Sequence, residues 1–260
     1  MAVAEGIFIM ARLKHRLHHT KDRFAIHVCT IPSATVTQAM AAAGADGIFI
    51  DMEHGAVDFG TAHAMIAATA GTECAAIVRV AENDPTLVKR ALDMGAEGVC
   101  FPLIRTAEDA ERAVASMRYP PRGNRGFGPF IAQSRWQSSL PTFRADTEEH
   151  LITVLLIETR DAVENIEAIC AVEGIDLLVT AMFDLTTDMG HMGEFDHPEV
   201  KEALRKVEAA AFKAGIPLSS NALNEEMARD LFARGYRGIA GFDLLWLREK
   251  TMAFKSWTEI

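Results

Sequence analysis

Eight short apolar runs recur along the chain, and each is followed by a segment whose apolar residues return at helical spacing. The runs are 24–31 (FAIHVCTI), 47–52 (GIFIDM), 75–80 (AAIVRV), 98–104 (GVCFPLI), 151–158 (LITVLLIE), 176–181 (DLLVTA), 216–220 (IPLSS) and 238–242 (GIAGF). The spacing predicts helices over 33–44, 58–70, 84–94, 107–117, 160–171, 198–214, 223–234 and from 244 onward. Ser33 is placed to cap the first of these and Gly44 to stop it. Strands that are apolar without alternation are buried on both faces, which is the mark of a parallel sheet. Eight strand–helix units closing on themselves make a (β/α)₈ TIM barrel, here one α/β domain spanning residues 1–260. A doubly wound sheet would need a glycine-rich dinucleotide turn straight after a strand, and neither GxGxxG nor a Walker A sequence occurs. Residues 119–150 break the rhythm with YPPRGNRGFGP and a polar stretch.

At 260 residues, 49% of them hydrophobic, the chain is long enough and apolar enough to fill such a barrel. A formal net charge of −10 argues against nucleic acid as a partner, because phosphates need a basic face. No apolar run approaches the ~20 residues of a membrane span. The first 19 residues hold an apolar patch and then a basic one, the reverse of a signal peptide's order. Cys29, Cys74, Cys100 and Cys170 lie far apart without a CxxC pair, as expected of buried thiols in a reducing cytoplasm.

In such a barrel the chemistry sits at the C-terminal ends of the strands. The second strand ends in Asp51, Glu53 and His54. The third carries Arg79, the fourth is followed by Arg105, and the fifth ends at Glu158. Asp184 follows the sixth, Asn221 the seventh, and Asp243 the eighth. Arg79 within AAIVRV is costly to bury unpaired, so it is either a structural ion pair or a clamp on a substrate carboxylate. Glu158 and Asp184, from consecutive strands, would offer oxygen ligands to a hard divalent cation. Glu158 has two other readings, a pair with Arg79 or a cap on the helix after it. His54 is the candidate general base. Every lysine falls in a predicted helix or near the N-terminus, so a strand-borne Schiff-base lysine is not expected. Arg118, Arg122 and Arg125 stand among glycines in 118–128, either as a loop for an anion or as a rigid turn with solvated arginines; the turn is favoured for Arg118 and Arg122.

With these residues in place the sequence resembles the HpcH/HpaI family of class II pyruvate aldolases over about residues 12–257. The resemblance rests on GADGIFIDMEH, RVAENDPTLVKRALDMGAEGVCFP, TAEDAERAVASMRYPPRGNRGFG, IETRDAVENIEAICAVEGID and the Asp-Leu of FDLTTDMG. It implies a (β/α)₈ barrel assembled as a trimer of dimers, with the C-terminal helix swapped between subunits. It implies Glu158 and Asp184 as ligands of a divalent cation, Mg²⁺ or Mn²⁺ and possibly Co²⁺. It further implies His54 as the catalytic base, with Asp93 as its dyad partner, and Arg79 as the substrate-binding arginine. The implied reaction is reversible aldol cleavage of a 4-hydroxy-2-oxo acid to pyruvate and an aldehyde, through an enolate that the metal stabilises. Small 2-oxo acids and aldehydes are then the partners, and no membrane is involved.

The substrate-binding positions depart from the family pattern. Ala181, Met182 and Phe183 stand where Gly-Pro-Ala or Gly-Pro-Ser precedes the metal-binding Asp. Leu156 replaces a glutamine, Val28 a tryptophan, and Asn221 a common leucine. Two alternatives therefore stay open. One is an enolate-condensing enzyme that uses oxaloacetate or an acyl-CoA, as in citrate synthesis. The other, of a different class, is a non-catalytic binding protein. Within FIDMEHG, Asp51 and Glu53 share one side by strand alternation and are expected to shape the turn, with His54 as the catalytic member.

Overall fold

Every one of the eight apolar runs forms a strand: β1 Phe24–Cys29, β2 Gly47–Asp51, β3 Ala75–Arg79, β4 Gly98–Phe101, β5 Ile152–Ile157, β6 Leu177–Thr180, β7 Leu218–Asn221 and β8 Gly238–Phe242. Neighbouring strands pair in parallel, and β8 returns to β1 to close the barrel. The computed structural model describes residues 12–259; the apolar patch within residues 1–11 lies outside them. The helices are α1 Arg12–His19, α2 Ala34–Ala42, α3 Phe59–Ala68, α4 Pro85–Asp93, α5 Ala107–Met117, α6 Ala132–Arg135, α7 Phe143–Thr147, α8 Arg160–Glu164, α9 Ile166–Cys170, α10 Met182–Asp188, α11 Pro198–Ala214, α12 Glu225–Ala233 and α13 Asp243–Ser256. Their starts follow local capping chemistry. Ser33 accepts from Val36 N as expected, and Thr106 with Asp109 forms a reciprocal capping box on α5.

Two departures from the sequence expectation have a local cause. The predicted helix 160–171 is divided at Asn165, whose side-chain amide donates to the carbonyls of Arg105 and Asp161 instead of leaving the helix continuous. The fourth run stops being strand at Phe101, because Pro102 lacks a donor and Leu103 turns to φ +54°.

Alternation along each strand sorts the side chains. Phe24, Ile26 and Val28 point into the barrel with Phe49, Ala75, Ile77, Cys100, Ile152, Val154, Leu156, Leu177, Val179 and Ala240. The outward-facing residues join the helices in a larger apolar layer. Large interior rings need small neighbours: a Cβ on Gly238 would lie 2.2 Å from the Phe24 ring, so only glycine fits there. Two residues beyond Phe49, Ile77 and Leu156, in the same inward phase, stand Asp51, Arg79 and Glu158. The interior thus changes from apolar filling to charge at the strand ends.

α1 was not anticipated as a helix. Its Leu13 and Leu17 are buried in the inner cluster at the strand-start end of the barrel. One step round the same helix, Lys14 and His18 both meet the buried Asp176 ahead of β6, at 2.5 and 2.6 Å. At the other end of the chain α13 is largely uncovered. Only Asp243 of its residues is buried, while Leu244, Leu245, Leu247, Met252 and Phe254 are exposed. Beside it a groove of about 340 Å³ opens over the outer face of β8 and β1, lined among others by His27, Ile239, Gly241 and Trp246.

Candidate active site

Asp51 and Arg79 are register partners on β2 and β3, so their side chains leave adjacent strands on the same side. Asp51 is fully buried and receives a two-pronged bond from the guanidinium: Nε to Oδ1 at 2.9 Å and Nη2 to Oδ2 at 2.5 Å. The same Oδ1 accepts from the backbone N–H groups of Glu53 and His54, at 3.0 and 3.1 Å. Asp51 therefore folds the turn that presents Glu53 and His54; of the two carboxylates expected to shape it, Asp51 is the one that bonds its backbone. Burial alone would raise its carboxyl, but the Arg79 bond and charge outweigh that and hold it below its ordinary value. The turn admits no side chain at Gly55, where a Cβ would stand 2.3 Å from the Asp51 carbonyl oxygen.

With two of its nitrogens held, Arg79 turns its third, Nη1, toward Glu53 Oε2 at 3.3 Å. That oxygen is buried and makes no hydrogen bond. Burial, and behind it the charges of Asp51 and Asp184, push Glu53 up to about 7 despite the pull of Arg79. Glu158 follows β5 in the same space. It pairs with neither Arg79 nor the following helix, whose cap is Thr159. Instead its Oε1 accepts from Leu103 N at 2.5 Å. Leu103 sits in the left-handed region that disfavours a branched side chain, and that backbone turn is what aims its N–H at the carboxylate. Burial first, then repulsion from Glu53 and Asp184, raise Glu158 to about 7. Asp184 stands in the first turn of α10, exposed at the barrel mouth.

The protein thus brings Glu53, Glu158 and Asp184 within electrostatic reach of one another, beside a guanidinium that is already committed to Asp51. One buried carboxylate oxygen has no hydrogen-bond partner, and two carboxyls are raised by crowding. That donor set fits a hard divalent cation: all oxygen, negative in excess, and open to solvent on the Asp184 side. Sequence reasoning missed the Leu103 N–H, because its signal is a single backbone conformation after Pro102.

The other expected site residues fall as follows. His54 is at the rim, its side chain 63% exposed, with Nε2 3.8 Å from Glu53 Oε2. Ala181 and Met182 are buried, and Phe183 is exposed at the mouth. The Phe183 ring makes edge contacts with Phe195 at 5.2 Å and Phe242 at 6.3 Å. Asn221 ends β7, and its Oδ1 accepts from Met182 N at 3.3 Å, tying the segments after β6 and β7. Met182 and Asn221 also border a cleft of about 670 Å³ between α11 and α12.

Asp93 does not meet His54 within the protomer, contrary to the expected dyad. α4 runs back from the strand ends, so its last residue lies at the strand-start end of the barrel, close before β4. There Asp93 pairs with the buried Arg125 at 2.9 Å. Arg122 pairs with Glu148 and Glu149. Arg118 is buried on the Glu148 carbonyl rather than solvated. The loop is a braced turn, as favoured for those two arginines.

Comparison with known proteins agrees with this fold. The profile of the family described as HpcH/HpaI aldolase/citrate lyase matches residues 29–249. A hydroxypyruvate/pyruvate aldolase of Chromohalobacter salexigens is 36% identical over 83% of this chain and 85% of its own. A 5-keto-4-deoxy-D-glucarate aldolase of Klebsiella pneumoniae is 35% identical over 86% and 87%. The crystal structure of an HpcH/HpaI aldolase/citrate lyase family protein from Burkholderia cenocepacia superposes with a TM-score of 0.89, at 30% identity, over 96% of this chain and 100% of that one. Barrel, mouth carboxylates and a profile that runs through both place the chain in the HpcH/HpaI aldolase/citrate lyase family.

Proposed function

We propose that the protein is a class II pyruvate aldolase, a carbon–carbon lyase that reversibly cleaves a 4-hydroxy-2-oxo acid to pyruvate and an aldehyde. The observation that carries this reading is the mutual crowding of Glu53, Glu158 and Asp184 at the barrel mouth, beside the Asp51-bound Arg79. The aldolase names of relatives matched along most of their length support the reaction class. Glu158 and Asp184 would hold a divalent cation, Mg²⁺, Mn²⁺ or Co²⁺, which when bound supplies Lewis-acid polarisation of the 2-oxo group.

The chain's own residues do the rest. Arg79 is fixed through Nε and Nη2, so Nη1 is the donor left to meet charge that grows on the 2-oxo oxygen as the C3–C4 bond breaks. His54 takes the proton of the 4-hydroxyl at the rim, where the aldehyde departs. The segment 181–183 at the start of α10, tied to Asn221 through Met182 N, would receive the substrate carboxylate. Phe183 with Phe195 and Phe242 makes the aldehyde side of the mouth aromatic.

Asp93 can serve His54 only from another protomer. The uncovered apolar residues of α13, and the groove beside it, support a swapped C-terminal helix in a trimer of dimers. We place the enzyme in the cytoplasm, consistent with four buried free cysteines.

The test is pyruvate release from a 4-hydroxy-2-oxo acid, followed with a coupled reductase. Chelation is expected to abolish turnover, and Mg²⁺ or Mn²⁺ to restore it. Glu158→Gln is expected to lower kcat by about a thousandfold, the cost of losing a main stabiliser of transition-state charge. Full activity of Glu158→Gln after chelation would sink the proposal. Turnover of acetyl-CoA with oxaloacetate but of no 4-hydroxy-2-oxo acid would favour the condensing reaction. No turnover with either, and no bound metal, would favour a binding protein.

A further inference from the structure

The connection between α10 and α11 reads MGHMGEFDH, and its two glycines, Gly190 and Gly193, take φ of +81° and +77°. Two successive turns follow: Glu194 N donates to His191 O at 2.8 Å, and His197 N to Glu194 O at 3.0 Å. Residues three apart are thereby folded onto one side. His191, Glu194 and His197 each bring a nitrogen or carboxylate oxygen within 4.8 Å of the other two. The His191 and His197 rings stack at 3.5 Å. His191 has one nitrogen facing each of two acids: Nδ1 is 4.0 Å from Glu194 Oε2, and Nε2 is 3.4 Å from Glu199 Oε2. That is the arrangement of a ligating histidine, one nitrogen for the metal and the other N–H held by a carboxylate.

We propose that His191, Glu194 and His197 form a second metal site that takes Zn²⁺, separate from the carboxylate site inside the barrel. Two imidazoles and one carboxylate are a borderline ligand set, suited to Zn²⁺ and poorly suited to Mg²⁺. Three ligand atoms on one tetrahedral Zn²⁺ stand about 3.4 Å apart, so atoms now within 4.8 Å of one another would close by up to about 1.4 Å, with the stacked rings turning out of parallel. His197 gives up its present role in doing so, because Nδ1 now accepts from Glu199 N at 3.3 Å. Phe195 lies between the ligands in sequence and touches Phe183 at the mouth. A bound Zn²⁺ would fix the loop that carries it.

The experiment uses the full chain with the barrel site disabled as Glu158→Gln/Asp184→Asn, stripped of metal and titrated with Co²⁺ and with Zn²⁺ in millimolar Mg²⁺. Co²⁺ is expected to give the visible bands of a tetrahedral nitrogen–oxygen site, and dialysis to show Zn²⁺ uptake. Both signals should be lost when His191→Ala is added. Glu199→Gln should weaken binding roughly tenfold to a hundredfold while leaving the ligands in place. Any Zn²⁺ on the histidines of α1 is common to all the proteins and cancels in the difference. Equal uptake and equal spectra with and without His191 would overturn the proposal. If the barrel variant does not fold, the same comparison of wild type with His191→Ala decides it, since excess Mg²⁺ occupies the carboxylates.

Discussion

Asp51 carries more of the site than its position behind the reactive groups suggests. Its two oxygens serve four donors, two from Arg79 and one each from Glu53 and His54. Asp51→Asn keeps the volume but removes the charge that holds the guanidinium. It is expected to cost about 3 kcal/mol in urea denaturation, as for a broken buried pair. It should also lower kcat/KM at least tenfold in the pyruvate assay, because Arg79 then swings toward Glu53. Wild-type stability together with wild-type kinetics would show the pair to be dispensable. Arg79 was readable as a paired or substrate-facing group from its place inside an apolar strand. It is paired with Asp51, and which of its nitrogens that pair holds needed the register of β2 against β3.

At the level of elements, α1 closes the strand-start end of the barrel by a polar anchor as well as by its leucines. Asp176 accepts from Lys14, His18 and Thr153 N. Burial alone would raise its carboxyl; the bond to His18, the charge and bond of Lys14, and the Thr153 amide outweigh that and hold it below 3.8. As pH falls, the unfolded chain takes up this proton before the native one does. The stabilisation is therefore complete above about pH 4 and is lost as pH drops through the native value. Asp176→Asn is expected to cost about 3 kcal/mol at pH 7. Urea titrations at pH 7 and near pH 3 should show the gap between wild type and variant closing in acid. The eight strands were legible because runs buried on both faces carry their signature in single-residue hydropathy. α1 was not, since RLKHRLHH shows only two leucines among bases and its reason to be helical is Asp176, more than 150 residues away. The His54–Asp93 pairing is not met within one chain for a different reason. Spacing alone does not say that α4 returns to the far end of the barrel. His191, Glu194 and His197 went unremarked because turns, not a helix or strand, supply their three-residue period.

For the molecule as a whole, the apolar face of α13 predicts a stability linked to association. Tm should rise with protein concentration, because a partner that covers this helix binds only the folded chain. Leu245→Glu/Leu247→Glu should remove that dependence and give a smaller species in gel filtration; no change in either would mean the helix is solvated in solution. The cysteines open another view of the same folding unit. All four are free and buried, with Cys29 raised by burial to about 12, Cys170 to about 11, and Cys74 and Cys100 upward as well. A thiol reagent should leave the native protein nearly untouched and modify all four groups in urea. Cys170 lies on the outer helix α9 and Cys100 in the barrel interior. The first to be labelled under native conditions should be Cys170, as helices lift, and the last Cys100, when the barrel itself opens. The chain thus records, in the order its sulfurs react, which layer of the protein has come apart.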